Sequence, residues 1–144
     1  MKELEPRLQR LRRWRSQVEK IERRTLQELL VERARTEERL RSIEESRTSA
    51  PSRLLKQKAV TGADLQALDC YFEGLQCSAA RHHASLEDIE RRRRTQNRKY
   101  EGARRELKLV ERLLERRLDH ARKTADREEQ KFIDELSARR QPDD

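Results

Sequence analysis

The chain has 144 residues, of which 44% are charged, 33% hydrophobic and 3% aromatic, and its formal net charge is +8. This composition leaves too little apolar bulk for a thick globular core, and no apolar run approaches the roughly 20 residues that a membrane span needs. High charge also marks disordered chains, but the apolar residues recur at regular spacing, which argues firmly against disorder. The N-terminus lacks the apolar core of a signal peptide, so we expect a cytoplasmic protein. The basic balance favours an acidic partner.

Residues 1–47 are predicted to form a first coiled-coil helix. Its apolar seam has a four–four step at Thr25 and Leu29, which predicts a stutter. The sequence TSAPS then indicates a helix break near Arg47, so we place the connector at residues 48–61. The seam residues are Leu4, Leu8, Leu11, Trp14, Val18, Ile21, Thr25, Leu29, Thr36, Leu40 and Ile43.

Residues 62–140 are predicted to form a second, longer coiled-coil helix. Thr61 is placed to cap its start, and Asp64 falls where a capping box needs an acid. Pro142 ends the helix, and residues 141–144 are expected to form a disordered tail. From Leu65, alternate steps of three and four reach mostly apolar residues without a slip. The positions reached are Leu65, Leu68, Phe72, Leu75, Ala79, His82, Leu86, Ile89, Arg93, Gln96, Tyr100, Ala103, Leu107, Val110, Leu114, Arg117 and Ala121.

These elements predict an all-α fold, an antiparallel two-helix coiled-coil hairpin with a longer second helix that overhangs. If the two helices pair outward from the connector, the shorter first helix ends opposite about residue 108. Residues 108–140 then have no partner helix. Apolar residues on such a charged overhang indicate a binding surface, and a homodimer that buries them is the alternative. These residues are Leu109, Leu113, Leu118, Phe132, Ile133 and Leu136.

The sequence ERRRRTQN at 90–97 carries four consecutive arginines. The heptad places Arg93 on the seam, opposite residues 13–18, with its guanidinium reaching water or Glu19. The other arginines begin a basic stripe in which no aromatic residue interleaves for base stacking, apart from Tyr100 on the seam. A solvated face or an acidic protein partner is therefore favoured over nucleic acid, and a basic nucleic-acid-binding hairpin stays an alternative. The stripe comprises Arg91, Arg92, Arg94, Arg98, Lys99, Arg104 and Arg105.

Nothing in the sequence predicts an active site. There is no phosphate-binding glycine loop and no nucleophile with a suitable base, so we expect no enzyme, cofactor or small-molecule substrate. On one helix, Cys70 and Cys77 would lie about 10.5 Å apart, beyond disulfide reach, which predicts two reduced thiols. A metal site that also uses His82 and His83 is disfavoured, because the spacing spreads these side chains along the helix.

Two segments carry a resemblance to a known family. DREEQKFIDELSARR at 126–140 and TGADLQALDCYFEGLQ at 61–76, together with the hairpin layout, resemble the FliJ/YscO family. Its members are central stalk proteins of flagellar export and of injectisome type III secretion. The diffuse signature slightly favours the injectisome and leaves the flagellum open. A generic coiled-coil scaffold or homodimer is the alternative outside this family.

The resemblance implies a non-enzymatic stalk, monomeric when free and peripheral at the cytoplasmic face of the secretion machine. The end with both termini would enter the hexameric export ATPase, and the region near the turn would face the membrane export gate. Some members also handle export chaperones. The implied gate-facing residues are Tyr71, Leu75 and His82. The implied ATPase-facing residues are Leu4, Leu8, Leu109, Leu113, Leu118, Phe132, Ile133 and Leu136.

Overall fold

The computed structural model describes residues 4–140, with side chains from Glu5 onwards. It contains two α-helices, α1 over Leu4–Leu55 and α2 over Gly62–Arg140, joined by residues 56–61. The two long helices pack against each other as a hairpin, which confirms the predicted fold class. Within residues 4–140, neither helix has a stretch apolar enough to cross a bilayer. The expected tail at 141–144 and the stop at Pro142 lie outside the described residues.

The first helix ends later than the sequence indicates. A break is predicted near Arg47, whereas α1 continues through Pro51 to Leu55. Proline inside a helix removes one backbone hydrogen bond and commonly costs about 3 kcal/mol. Ala50 and Leu54 are half-buried in this last part of α1, so packing supports the helix beyond the proline. The predicted break is therefore wrong because tertiary contacts outweigh a local breaker.

The start of α2 confirms the predicted capping box. The backbone N–H of Thr61 donates to Asp64 Oδ2 at 3.0 Å, and the backbone N–H of Asp64 donates to Thr61 Oγ1 at 3.3 Å. These bonds satisfy two donors that have no carbonyl partner within the helix. The reciprocal pair therefore fixes the first turn of α2 at Gly62.

By their internal contacts, the residues group into two units. The turn unit comprises Ile21–Tyr100 and includes the connection between the helices. The terminal unit comprises Met1–Lys20 and Glu101–Asp144. Each unit thus combines a segment of α1 with a segment of α2, and each is described separately below.

In the turn unit, the α2 seam follows the predicted heptad. Ile89 is the most deeply buried side chain, at 1% exposure, and Gln96 is also buried. Leu65 is exposed, so the buried seam begins one step later. The half-buried members are Leu68, Phe72, Leu75, Ala79, His82, Leu86, Arg93 and Tyr100.

The α1 seam of the turn unit differs from the prediction. Its inward positions follow an unbroken heptad, so the predicted stutter is wrong. Ile21, predicted on the seam, is 59% exposed, and the adjacent Glu22 is half-buried instead. An apolar pattern alone cannot identify a seam position that is held by an acid. The heptad positions are Glu22, Leu29, Thr36, Ile43 and Ala50.

Ion pairs between α1 and α2 show the register of the turn unit. Arg92 Nη2 lies 3.1 Å from Glu32 Oε1, and Arg33 Nη1 lies 3.6 Å from Glu90 Oε2. Arg93 therefore lies opposite α1 near residues 29–32, and its predicted place opposite residues 13–18 is wrong. The cause is the later end of α1, because residues added at the turn shift every pairing along the hairpin.

In the terminal unit, the core comes mainly from α2. Ala103, Val110 and Leu114 are buried, whereas every residue over 115–140 is exposed. The unpartnered part of α2 therefore begins after Leu114, and the predicted start near residue 108 is wrong. Trp14, another predicted seam residue, is 55% exposed.

Polar side chains also contribute to the terminal unit. Glu19 is buried, although the apolar pattern gives it no seam position. The Arg15 guanidinium donates a hydrogen bond to the Glu106 carboxylate, which joins α1 to α2. Charged residues thus occupy part of the helix contact that the sequence assigns to apolar residues.

Candidate partner-binding surfaces

The apolar stripe of α2 continues beyond the end of its partner helix. At 3.6 residues per turn, Leu118, Phe132 and Leu136 fall on the same face as the buried Leu114. All three are exposed, as is Ile133 at the edge of this face. An exposed apolar stripe on an otherwise charged helix indicates a face that packs against a partner. We call Leu118, Phe132, Ile133 and Leu136 the overhang stripe.

Two other leucines that the resemblance assigns to the ATPase-facing set lie on a different face. Leu109 and Leu113 are four residues apart and exposed. They flank the buried Val110 and Leu114, so the helical repeat turns them away from the paired face. The structure therefore divides the predicted set into an overhang stripe and a separate pair beside the paired segment.

The beginning of α1 contributes less apolar surface than expected. Leu8 is half-buried, and the side chain of Leu4 lies outside the described residues. Trp14 presents its ring to solvent, with the Arg15 guanidinium carbon 4.5 Å from the ring centroid, a cation–π contact. Because the heptad count puts Trp14 on the seam, sequence reasoning misses it as a surface residue.

The three gate-facing candidates do not share one environment. Tyr71 is exposed, and its ring centroid lies 6.5 Å from that of Phe72. Leu75 and His82 are half-buried on the seam of the turn unit. A partner that approaches this part of the hairpin can therefore reach Tyr71 fully and the other two side chains only in part.

Acidic residues neutralise much of the basic stripe at its arginine run. Arg92 pairs with Glu32 and also with Asp88, at 3.1 Å in each case. Arg91 lies 4.0 Å from Asp88, and Arg94 lies 3.8 Å from Glu90. These exposed pairs stabilise the fold weakly and reduce the positive potential of the run.

The remaining basic residues of the stripe are more available. Arg105 Nη2 lies 3.9 Å from Glu101 Oε2 in the terminal unit. Within residues 4–140, Arg98, Lys99 and Arg104 are exposed and form no ion pair. They are the members of the stripe with the most charge left for an outside partner.

Arg93 binds an acid on its own helix. Its Nε and Nη2 donate to Glu90 at 3.0 and 2.7 Å. This two-pronged hydrogen bond, with the charges of Arg93, Arg33 and Arg94, holds the pKa of Glu90 below its ordinary value. Arg93 therefore does not reach Glu19, the other partner that the sequence analysis gave it.

Cysteine and histidine do not form a metal site in the described part of the chain. Cys70 and Cys77 are exposed and unpaired. Among residues 4–140, no three His, Cys, Asp or Glu side chains are grouped to hold a metal ion. The distinctive features of the described surface are exposed apolar side chains on highly charged helices.

A family model described as the flagellar FliJ protein matches residues 4–141. The chain belongs to the FliJ family. The match covers both helices and confirms the resemblance drawn from the segments at 61–76 and 126–140. Comparison with curated proteins and with solved structures gives no match.

Membership of the FliJ family gives the coarse function of the chain. The family belongs to flagellar protein export, so this chain is a component of flagellar type III export. The sequence analysis slightly favours the injectisome, whereas the matched family is the flagellar one. The helical hairpin of this chain agrees with the assignment to flagellar export.

Proposed function

We propose that the chain is the central stalk of the flagellar export apparatus. In this proposal the end formed by the terminal unit enters the ring of the hexameric export ATPase. The region near the turn reaches the membrane export gate, and the chain coordinates ATP hydrolysis with protein secretion. It works in the cytoplasm, peripheral at the cytoplasmic face of the machine, without a cofactor and without chemistry of its own.

The overhang stripe is the observation that carries this proposal. Its side chains continue a coiled-coil seam, yet α1 offers them no partner because the buried seam ends at Leu114. Burying one Leu, Ile or Phe side chain contributes about 1.5–3 kcal/mol. A partner that supplies the missing helical surface would gain this free energy from several side chains at once. Loops or helices lining an ATPase ring would supply such a surface.

Distributed charge would orient the stalk in the ring. Arg98 and Lys99 in the turn unit and Arg104 in the terminal unit are exposed without an ion-pair partner among residues 4–140. Long-range attraction between such cations and an acidic surface speeds association and fixes orientation more than it raises affinity. We propose these three residues, rather than the neutralised arginine run, as the basic contacts with the ATPase.

The region near the turn would contact the export gate through Tyr71, with Leu75 and His82 beside it. Tyrosine combines a large apolar ring with a hydroxyl, which suits an interface where one side stays wet. The family resemblance also implies contact with export chaperones. Both contacts are proposed on the resemblance and on the exposure of Tyr71.

The test is titration of the full chain into the export ATPase of the same export apparatus while ATP hydrolysis is followed. We expect stimulation at a low ratio of chain to ring. Changing Phe132→Asp, Ile133→Asp and Leu136→Asp together should weaken the apparent affinity at least about tenfold, because charged residues replace buried apolar ones.

A matched control separates the stripe from added negative charge. Gln130→Asp, Ser137→Asp and Ala138→Asp add the same charge to the same segment outside the overhang stripe, and all three positions are exposed. This control should stimulate hydrolysis like the natural chain. Equal loss in both triple variants, or no stimulation by the natural chain, would contradict the stalk proposal.

A homodimer is the second candidate, because a second copy could also cover the overhang stripe. Sedimentation of the free chain separates the two ideas. If the natural chain is a dimer and the Phe132→Asp, Ile133→Asp, Leu136→Asp variant is a monomer, a coiled-coil scaffold is favoured. A monomer that binds the ATPase favours the stalk. Nucleic-acid binding, the remaining alternative, would require strongly salt-dependent binding to DNA or RNA.

A further inference from the structure

The turn of the hairpin lies in the longest stretch of the chain without an acidic residue. The protein has 28 acidic residues in 144, about one in five, yet residues 46–63 contain none. The same segment contains four basic residues, Arg47, Arg53, Lys56 and Lys58. Acids pair with Arg92 in the arginine run, whereas no acid lies within residues 46–63, so the turn carries a local positive charge.

The basic residues at the turn remain unpaired. Within residues 4–140, Arg53, Lys56 and Lys58 are exposed and form no ion pair. The nearest acid after the turn, Asp64, is half-buried and accepts a hydrogen bond from the backbone of Thr61 at the start of α2. Its carboxylate therefore serves the helix N-terminus and does not neutralise the lysines.

Apolar side chains stand among these cations. Leu55, the last residue of α1, is 78% exposed, the highest value of any large apolar residue described as exposed. Val60 in the connection and Leu65 in the first turn of α2 are exposed as well. Leu54, in contrast, is half-buried. One leucine of the LeuLeu pair thus packs inward while the other points to solvent.

We propose that this tip patch, comprising Arg53, Leu55, Lys56, Lys58, Val60 and Leu65, binds the surface of an anionic lipid bilayer. The lysines and arginine would lie at the level of the lipid headgroups, and the leucines and valine would enter the boundary with the acyl chains. Basic residues combined with exposed apolar ones are what interfacial binding requires, and neither alone gives stable attachment.

Two features of the patch favour a lipid surface over other acidic partners. Residues 46–63 contain no Phe, Tyr or Trp, so a nucleic acid would find no platform for base stacking. Its three exposed apolar side chains are also spread over residues 55–65 and do not form one continuous row. A fluid interface adapts to separate apolar side chains, whereas a protein partner would need a pocket for each of them.

This inference goes beyond the proposed stalk function and does not depend on it. It requires only the turn unit and a bilayer, whereas the stalk proposal requires the terminal unit and an ATPase. Failure of the lipid-binding proposal therefore leaves the stalk proposal intact, and the reverse also holds. The two experiments share no reagent except the chain.

The test is flotation of the full chain with lipid vesicles. We expect binding to vesicles of phosphatidylcholine mixed with phosphatidylglycerol, weaker binding at higher salt, and little binding to phosphatidylcholine alone. Each basic residue near an anionic surface contributes about a fivefold gain in binding, so Lys56→Gln with Lys58→Gln should weaken it roughly 25-fold. The control Arg122→Gln with Lys123→Gln removes the same charge from the exposed overhang and should leave binding nearly unchanged.

A second pair of variants tests the apolar contribution. Leu55→Ser with Val60→Ser should weaken vesicle binding at least about tenfold, while Leu109→Ser with Leu113→Ser, also exposed, should not. All of these positions are exposed, so each variant should keep its helical circular dichroism, which is measured alongside.

Three results would overturn the proposal. One is absence of binding to the anionic vesicles. Another is an equal loss of vesicle binding in the Lys56→Gln, Lys58→Gln variant and in the Arg122→Gln, Lys123→Gln control. That result would indicate that the net charge of the whole chain causes the adsorption. The third is unchanged vesicle binding in tip variants that lose binding to a protein of the export gate, which would assign the patch to a protein partner.

Discussion

Two isoleucines of the turn unit differ completely in environment. Ile89 is 1% exposed on the seam of α2, whereas Ile21 is 59% exposed on α1. Both are apolar and both are predicted on a seam by their spacing. The difference arises because Glu22, and not Ile21, holds the heptad position that faces inward.

This contrast gives a matched prediction. Ile89→Ala removes a fully buried side chain and should lower the free energy of unfolding by about 2–5 kcal/mol. Ile21→Ala, the same substitution at an exposed position, should change it by less than about 0.5 kcal/mol. Urea unfolding followed by circular dichroism measures both. Similar losses in the two variants would contradict the register described for the turn unit.

Buried polar residues are a second feature at the scale of single side chains. Gln96 is buried on the α2 seam, and its Nε2 donates to the backbone carbonyl of Glu22 at 3.1 Å and to the Glu22 carboxylate. An apolar side chain cannot make these bonds. The pair therefore aligns one position of α1 with one position of α2, in the way that polar seam residues specify register in coiled coils.

At the scale of elements, the start of α2 depends on local chemistry. The reciprocal bonds between Thr61 and Asp64 lie within three residues of sequence, and sequence analysis predicts them correctly. The end of α1 depends on packing, and sequence analysis misplaces it. Helix caps can be recognised from neighbours in the chain, whereas continuation through Pro51 depends on contacts made across the hairpin.

The cap yields a prediction for the stability of α2. Thr61→Ala should lower the free energy of unfolding by about 1 kcal/mol, because the N–H of Asp64 loses its acceptor. Asp64→Ala should cost a similar amount, and the double variant should cost less than the sum of the two, since both bonds belong to one motif.

The control for the cap is Thr124→Ala. Thr124 lies within α2, is exposed, and donates through its hydroxyl to the His120 carbonyl at 2.9 Å. Alanine has the higher helix propensity, so this variant should be neutral or slightly stabilising. Equal destabilisation by Thr61→Ala and Thr124→Ala would show that the capping bonds contribute nothing specific.

For the whole molecule, the two ends of the chain contribute very differently to stability. Residues 115–140 are exposed throughout, so they contribute little to the folded core. Residues of α1 before Ile21 belong to the terminal unit, in which Ala103, Val110 and Leu114 are buried. The overhang is therefore available for a partner, while the first helix is needed for folding.

Truncation tests this division. Removal of residues 122–140 should leave the midpoint of urea unfolding nearly unchanged and should abolish stimulation of the export ATPase. Removal of residues 1–20, a segment of similar length, should lower the midpoint because it exposes the buried α2 residues of the terminal unit. A large loss of stability on removing the overhang would mean that it packs within the free protein, contrary to its exposure.

The sequence alone determined the all-helical class, the start of α2 and the heptad along it. Each depends on composition or on residues near each other in the chain, such as Thr61 with Asp64 or Leu86 with Ile89. The diffuse family resemblance also came from the sequence, and the family match confirms it.

The tertiary structure alone decided the pairing of the two helices. Continuation of α1 to Leu55 shifts the register, so it moves Arg93 to a new neighbour and the start of the overhang to residue 115. The inward position of Glu22 leaves Ile21 at the surface, and Trp14 is exposed as well. Heptad spacing states which residues of one helix share a face, but not which residues of the other helix they meet. That pairing depends on the free energy of packing over the whole hairpin, to which turn residues and buried acids contribute as well as leucines.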